Sequence, residues 1–303
     1  AGLAKSVLGI WIGYSLIFGA ANGMGYGFGL QIAAQFNPDR EGFAMGVVTA
    51  SYALGAMLSP PLFDLAVGTR GFEAAMFALA AAILGTGLIS AMLLRSVNAR
   101  FQSKKQSLES TPMTPRSFQL LWLGYFGGVL AGLMIIGHAA GISAALRPDT
   151  QTWIAPVIIA AFNLLGSLVT GRLADRFPLR VLSVGLALMT TVALIGLTVL
   201  GNLFGLLVGL GIVGFAYGGT ITAFPATITK LFGMRHSARI YGQVFTAWGC
   251  AGLVGPWFAG LLFDWSGGYK LSLIMAAVIG LMSAVAMNAF FRTTRSSSDL
   301  GAN

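Results

Sequence analysis

The chain has 303 residues, of which 56% are hydrophobic and only 9% charged, and its mean hydropathy is +0.81. A soluble domain of this length needs far more surface charge, so the composition describes an integral membrane protein. The net charge of +9 does not call for a nucleic-acid partner, because the cations gather in short segments between apolar stretches, where membrane orientation accounts for them.

Windows of ~19 apolar residues mark nine candidate helices, at 7–34, 43–67, 72–94, 118–145, 152–171, 181–200, 203–230, 238–262 and 268–291. The expected fold is therefore an all-α membrane protein. The stretch Arg95–Ser117 carries Ser, Gln, Lys, Glu and two Pro, and reads as a flexible linker between residues 1–94 and 118–291. Residues 292–303 are polar and read as a tail without regular structure. The single cysteine, Cys250, lies inside an apolar span, so no intrachain disulfide is expected. Two histidines and no Cys/His cluster give no metal-site pattern, and nothing calls for a cofactor.

Between the fifth and sixth spans stands Gly171-Arg172-Leu173-Ala174-Asp175-Arg176-Phe177-Pro178-Leu179-Arg180. Four charges in ten residues, flanked by apolar spans, read as a tight hydrophilic turn between membrane helices. The pattern Gly-x-Leu-Ala-Asp-Arg-x-x-x-Arg resembles the signature loop of the major facilitator superfamily of secondary transporters. That family usually has Gly where this chain has Pro178, whose fixed φ stiffens the turn. The resemblance implies a cytoplasmic loop, and placing it there leaves only Lys5, Arg70, Arg147 and Lys270 outside. The C-terminus is then cytoplasmic and the N-terminus outside. The resemblance also implies a conformational latch drawn from Gly171, Asp175, Arg176 and Arg180. Asp175 is expected to set its carboxylate against the N-terminus of the helix starting near Phe43, with Arg40 and Arg176 as charge partners.

A shift of 196 positions aligns Gly9/Gly205, Gly23/Gly219, Phe36/Phe232, Gly46/Gly242 and Pro60/Pro256 without a gap, and lays span on span. Transporters of this type are built from parallel six-helix halves, each of two three-helix units. On that reading, residues 1–94 form the second half of an N-terminal six-helix domain. Residues 118–291 form the C-terminal domain. Nine transmembrane helices are then present of an expected twelve, the first three being absent.

Two further runs, Phe36-Asn37-Pro38-Asp39-Arg40-Glu41-Gly42 and Tyr241–Pro256, resemble the oxalate:formate antiporter family and its monocarboxylate-transporter relatives. Members tend to carry Asn-x-x-Gly-Arg before the signature loop, and the Arg anchors the substrate carboxylate. This chain has Asn163-Leu164-Leu165-Gly166-Ser167 instead, and span 238–262 holds no cation beyond Arg239. Dicarboxylates are accordingly disfavoured, unless the three absent helices supply the charge.

Polar side chains at membrane depth are costly and often functional. Counted at ~1.5 Å per residue, Asn22, Tyr52, Asn163, Tyr217 and Trp248 fall near the midplane, where such transporters bind substrate. Helix packing is the competing role for each. Tyr52 and Trp248 are related by the 196-residue shift. His138, near the outer third of 118–145, carries an imidazole, a side chain that can take up and release a proton, and is the candidate proton-coupling residue, with a helix–helix hydrogen bond as the alternative. The glycines Gly19 to Gly29 follow no strand and do not form a dinucleotide loop.

The expected activity is secondary active transport of a small organic acid, in the first place a monocarboxylate, by alternating access. The alternatives are an exporter of lipophilic compounds with the same fold, or a non-transporting sensor or accessory subunit. No acid–base or nucleophile constellation points to an enzyme. The expected partners are the small-molecule substrate and the lipid bilayer, and the expected state is a monomer in the plasma (inner) membrane.

Overall fold

A computed structural model describes residues 6–96, 113–146, 153–200 and 202–300. The central part of the linker, 97–112, lies outside the described residues, as do Lys5, Arg100, Lys104, Lys105 and Arg147, to which the sequence assigned sides of the membrane. Every regular element among the described residues is helical, as an apolar solvent demands of a chain that must satisfy its own backbone groups. The elements are α1 (Val7–Ile10), a π-helical stretch (Trp11–Phe18), α2 (Gly19–Phe36), a single 3₁₀ turn (Pro38–Arg40) and α3 (Glu41–Ser96). After the linker come α4 (Pro115–Ile136), α5 (Ala139–Leu146), α6 (Ile154–Arg176), α7 (Leu179–Val199), α8 (Leu203–Ser266) and α9 (Lys270–Leu300).

Among the described residues, eight helical stretches are long and apolar enough to cross a membrane, with α3 and α8, each of them kinked, supplying two each. The kinks fall at Gly71 (φ 80°) and Gly233 (φ 71°), in backbone conformations that favour glycine. The expected span 7–34 is instead divided among α1, the π-helical stretch and α2. The 196-residue spacing recurs in the backbone. Asn37, where α2 stops, stands 196 positions before Gly233, and Gly71 stands 196 before Gly267, the left-handed cap of α8.

Helix ends follow local chemistry. Thr114 caps α4 by accepting from the Ser117 N–H at 3.1 Å, with Pro115 in the first turn. Asn202 caps α8 by accepting from the Gly205 N–H at 2.6 Å.

Three further expectations need correction. Span 118–145 is not one helix, because the chain turns at Gly137 and His138 between α4 and α5. The hydrophilic turn is shorter than ten residues: α6 runs through Arg176 and α7 starts at Leu179, so only Phe177 and Pro178 are non-helical. Residues 292–300 continue α9 rather than forming an unstructured tail.

The first three spans meet the rest of the chain chiefly where α3 crosses α6. Small residues set that distance. A Cβ on Gly46 would lie 2.6 Å from the Ser167 carbonyl oxygen, and one on Gly171 would lie 2.6 Å from the Gly42 carbonyl oxygen. The helices touch backbone to backbone, as small residues permit in membranes. Gly46→Leu is therefore expected to push α3 off α6 and lower the melting temperature of the detergent-solubilised protein by several degrees. Gly185→Leu, where a Cβ meets nothing within 4 Å, serves as the control.

Candidate functional site

The end of α6 presents Asp175 to the start of α3. Its Oδ1 accepts from the Gly42 N–H at 2.8 Å and its Oδ2 from the Phe43 N–H at 2.9 Å. These amides are among the unpaired donors at a helix N-terminus, where the helix dipole also favours an anion. Hydrogen bonds to a charged partner contribute about 1.5–3 kcal/mol each, and the Asp175 side chain is only 15% exposed, so water competes weakly. Gly42 is required by this contact, since a Cβ there would sit 2.7 Å from Oδ1.

The expected carboxylate–helix contact is thus present, but its charge partner differs. The ion pair described for Asp175 is with Lys230 of α8, Nζ to Oδ1 at 3.9 Å, and Lys230 also donates to the Ala174 carbonyl. Arg40 and Arg176 instead line a cavity of about 160 Å³ with Asp39, Phe43, Arg172 and Asp175. Arg180 is engaged elsewhere: its Nε and Nη2 both donate to Asn288 Oδ1 at 3.0 and 2.7 Å, tying α7 to α9. Gly171 contributes the close backbone approach described above. A second contact across the seam joins buried groups, with Ser237 Oγ donating to Gln31 Oε1 at 3.0 Å.

The midplane candidates divide into a connected group and two outliers. Trp248 Nε1 donates to the Tyr217 hydroxyl at 3.0 Å. Trp248 stacks on Phe245 at 5.3 Å and 3°, Phe245 lies 5.8 Å from Tyr26, and Tyr26 meets Tyr52 edge-on at 4.9 Å. Tyr52 and Trp248, the pair related by the repeat, are therefore joined through one aromatic chain. Asn163 is half-buried in the seam between α6 and α8, and its Oδ1 accepts from Ser167 Oγ at 3.4 Å. A Cβ on Gly218 would fall on Asn163, so this amide packs tightly against the residue following Tyr217. Asn22 is exposed on α2, one helical turn before Tyr26.

Ser167, standing where the related transporters tend to carry an anchoring Arg, is fully buried, its backbone carbonyl against Gly46 of α3 and its hydroxyl against Gly218 of α8. An arginine has no room there while α6 packs on α8. His138 lies outside the midplane group. Its Nε2 is 2.9 Å from the Pro256 carbonyl oxygen, which can only accept, so Nε2 donates and Nδ1 is left to pair with the Tyr269 hydroxyl at 3.3 Å.

Lys230, Tyr26, Tyr125, Tyr241 and Phe245 were not singled out from the sequence. The spacing of Tyr241, Phe245 and Trp248 at i, i+4 and i+7 places them on one helical face and was the available signal. Lys230 gave none, since its distance to Asp175 depends on how α6 and α8 pack.

Eight membrane-length helices among the described residues, backbone breaks repeated at 196 residues and a carboxylate bridging the two helical groups define a multi-pass membrane protein of repeated helical units. The pattern of the Major Facilitator Superfamily matches residues 121–302, and the chain belongs to that family. It is 25% identical over 260 residues to YhjX of Escherichia coli, described as an uncharacterized MFS-type transporter, covering 81% of this chain and 63% of that protein. It is also 25% identical over 303 residues to the oxalate:formate antiporter of Oxalobacter formigenes, covering 91% and 69%. A shorter match, 30% over 124 residues, links it to human monocarboxylate transporter 14, covering 40% and 24%. The chain thus spans about two thirds of the length of the first two relatives.

Asp175→Asn keeps the shape but removes the charge and points an amide donor at one of the α3 N–H groups. It is expected to lower transport at least about tenfold with membrane expression unchanged, measured by vesicle uptake alongside quantitative immunoblotting.

Proposed function

We propose that the protein moves a small organic acid, most readily a monocarboxylate, across the plasma membrane by alternating access. The observation that carries this reading is the Asp175 carboxylate on the N-terminus of α3, a charge-assisted contact between two helical groups that must separate for access to change sides. Its position on the signature loop supports a cytoplasmic location, with the C-terminus on the same side and the protein acting as a monomer. The relatives named for oxalate:formate exchange and monocarboxylate transport support the substrate class.

Substrate is taken at the midplane group of Trp248, Tyr217, Tyr52, Asn163 and Asn22. Trp248 donates to the Tyr217 oxygen, leaving the phenol proton to meet an acceptor on the substrate, while the indole face seats a short acyl chain. The group offers hydrogen bonds without a cation, which favours one carboxyl group over two. The same lack of charge favours, as a second reading, export of lipophilic compounds. Catalysis has no place in either reading. His138, satisfied by the Pro256 carbonyl and Tyr269, serves as a packing hydrogen bond between helices rather than as the coupling site.

Uptake of labelled mono- and dicarboxylates by vesicles bearing the intact protein tests the assignment. Monocarboxylates are expected to accumulate and oxalate is not; accumulation of neither, with efflux of lipophilic dyes, supports the second reading. Trp248→Ala is expected to raise KM about tenfold or more, and Trp248→Phe to retain part of the activity. Wild-type kinetics in Trp248→Ala and Asn163→Ala would place the site elsewhere.

A further inference from the structure

Arg180 is a half-buried cation without a counter-ion among the described residues. Its Nε and Nη2 both donate to the neutral amide oxygen of Asn288, at 3.0 and 2.7 Å. It also lies in the first turn of α7, the end of a helix whose dipole favours an anion. That turn holds no acidic residue, and α7 has no side-chain cap. The described carboxylates on the signature-loop side are placed elsewhere. Asp175 is held by the α3 amides and Lys230, and Asp39 and Glu41 flank the start of α3. A lone cation half-buried at a membrane boundary is costly, and an anion beside it lowers that cost.

The groups around Arg180 narrow the kind of anion. Asn288 accepts through Oδ1, so its Nδ2 offers further donors beside the guanidinium. Arg292, exposed and one helical turn beyond Asn288 on α9, adds a second cation. Away from this polar end, both helices present apolar side chains: Val181, Leu188 and Val192 on α7 and Val278, Leu281 and Val285 on α9 are all exposed. The two stripes border one seam. The helices meet at Thr191 and Gly280, where a Cβ on Gly280 would lie 2.8 Å from Thr191 Oγ1, and Val192 and Leu281 are the next residues along. Arg292 continues the α9 stripe two turns after Val285, and Val181 adjoins Arg180. Basic pockets between membrane helices on the cytoplasmic side suit the phosphate of a lipid, whose acyl chains lie against the apolar helix faces beside it.

We propose that the signature-loop end of the α7–α9 seam binds an anionic phospholipid of the inner leaflet, its phosphate between Arg180 and Arg292 and an acyl chain along the exposed stripes. The leaflet follows from the cytoplasmic location proposed above for the loop, whereas the binding follows from the seam alone. The phosphate supplies the anion that Arg180 lacks and accepts from the Asn288 amide. Guanidinium groups hold a phosphate through charge-assisted hydrogen bonds, which are stronger than neutral ones. Because Arg180 also ties α7 to α9, the bound lipid braces that seam, apart from the Trp248 group.

The test measures the affinity of the first lipid bound by the intact, detergent-solubilised protein, using native mass spectrometry with phosphatidylglycerol and with phosphatidylcholine. Phosphatidylglycerol is expected to bind at least about tenfold more tightly. Inorganic phosphate at equal ionic strength is expected not to displace it, because the acyl chain contributes to binding. Arg292→Gln, at an exposed position, is expected to weaken phosphatidylglycerol binding about fivefold, and Arg180→Gln at least as much. Arg95→Gln removes an exposed cation at the end of α3, on the same side of the membrane, and is expected to leave the affinity unchanged. Equal weakening by Arg95→Gln and Arg292→Gln would mean diffuse attraction to the whole loop-side surface and would overturn the site. So would parent-like affinity in Arg292→Gln, equal binding of the two lipids, or displacement by inorganic phosphate. Binding is read without transport, so these outcomes decide the lipid site and leave the transport reading to the uptake measurements.

Discussion

Two backbone N–H groups at the start of α3 face one carboxylate at the end of α6, and the contact between the helical groups is organised around that encounter. A helix N-terminus leaves donors that no residue of the same helix can satisfy. Supplying the acceptor from another helix turns a local requirement into a long-range restraint, across 132 and 133 residues of sequence. The restraint works only if the backbones come close, which explains Gly42, Gly46 and Gly171 at the crossing. Lys230 then balances the carboxylate at the rim of the membrane, where a lone charge is expensive. A bond of this type is strong enough to hold and, being exposed at one edge, can be released to water.

Below the restraint the polar chemistry changes character. The midplane group is built from neutral donors: an indole, phenols and side-chain amides. Neutral donors in a low-dielectric layer discriminate by geometry, since each one left unpaired is penalised while none attracts a particular valence from a distance. Ser167, with its carbonyl against Gly46 and its hydroxyl against Gly218, illustrates the trade. A position that anchors a carboxylate in related transporters serves here to let two helices touch.

Much of the architecture was legible because the membrane imposes a length on each element. Eight expected spans correspond to helices of membrane length, and the repeat reappeared as backbone breaks at Asn37, Gly71, Gly233 and Gly267. The Asp175 contact was readable from the signature loop, because the motif states both the anion and its place. What sequence could not supply was lateral packing. The apolar faces of α4 and α8 do not say which tyrosines meet, so Tyr125 and Tyr241 went unnoticed, and Arg40 and Arg176 were expected beside Asp175 where the packing supplies Lys230. The turn at Gly137–His138 was missed for a related reason: an apolar run conceals a break when its glycines sit amid residues that suit a helix.

The most direct measurement of the central claim is the distance across the seam. Spin labels replacing the exposed Phe36 and Phe177, read by double electron–electron resonance in liposomes, report whether α2 and α3 remain closed against α6. A dominant short distance is expected for the parent, with Asp175→Asn shifting population to a longer, broader distribution. An unchanged distribution in Asp175→Asn would contradict the claim that this carboxylate holds the two helical groups together.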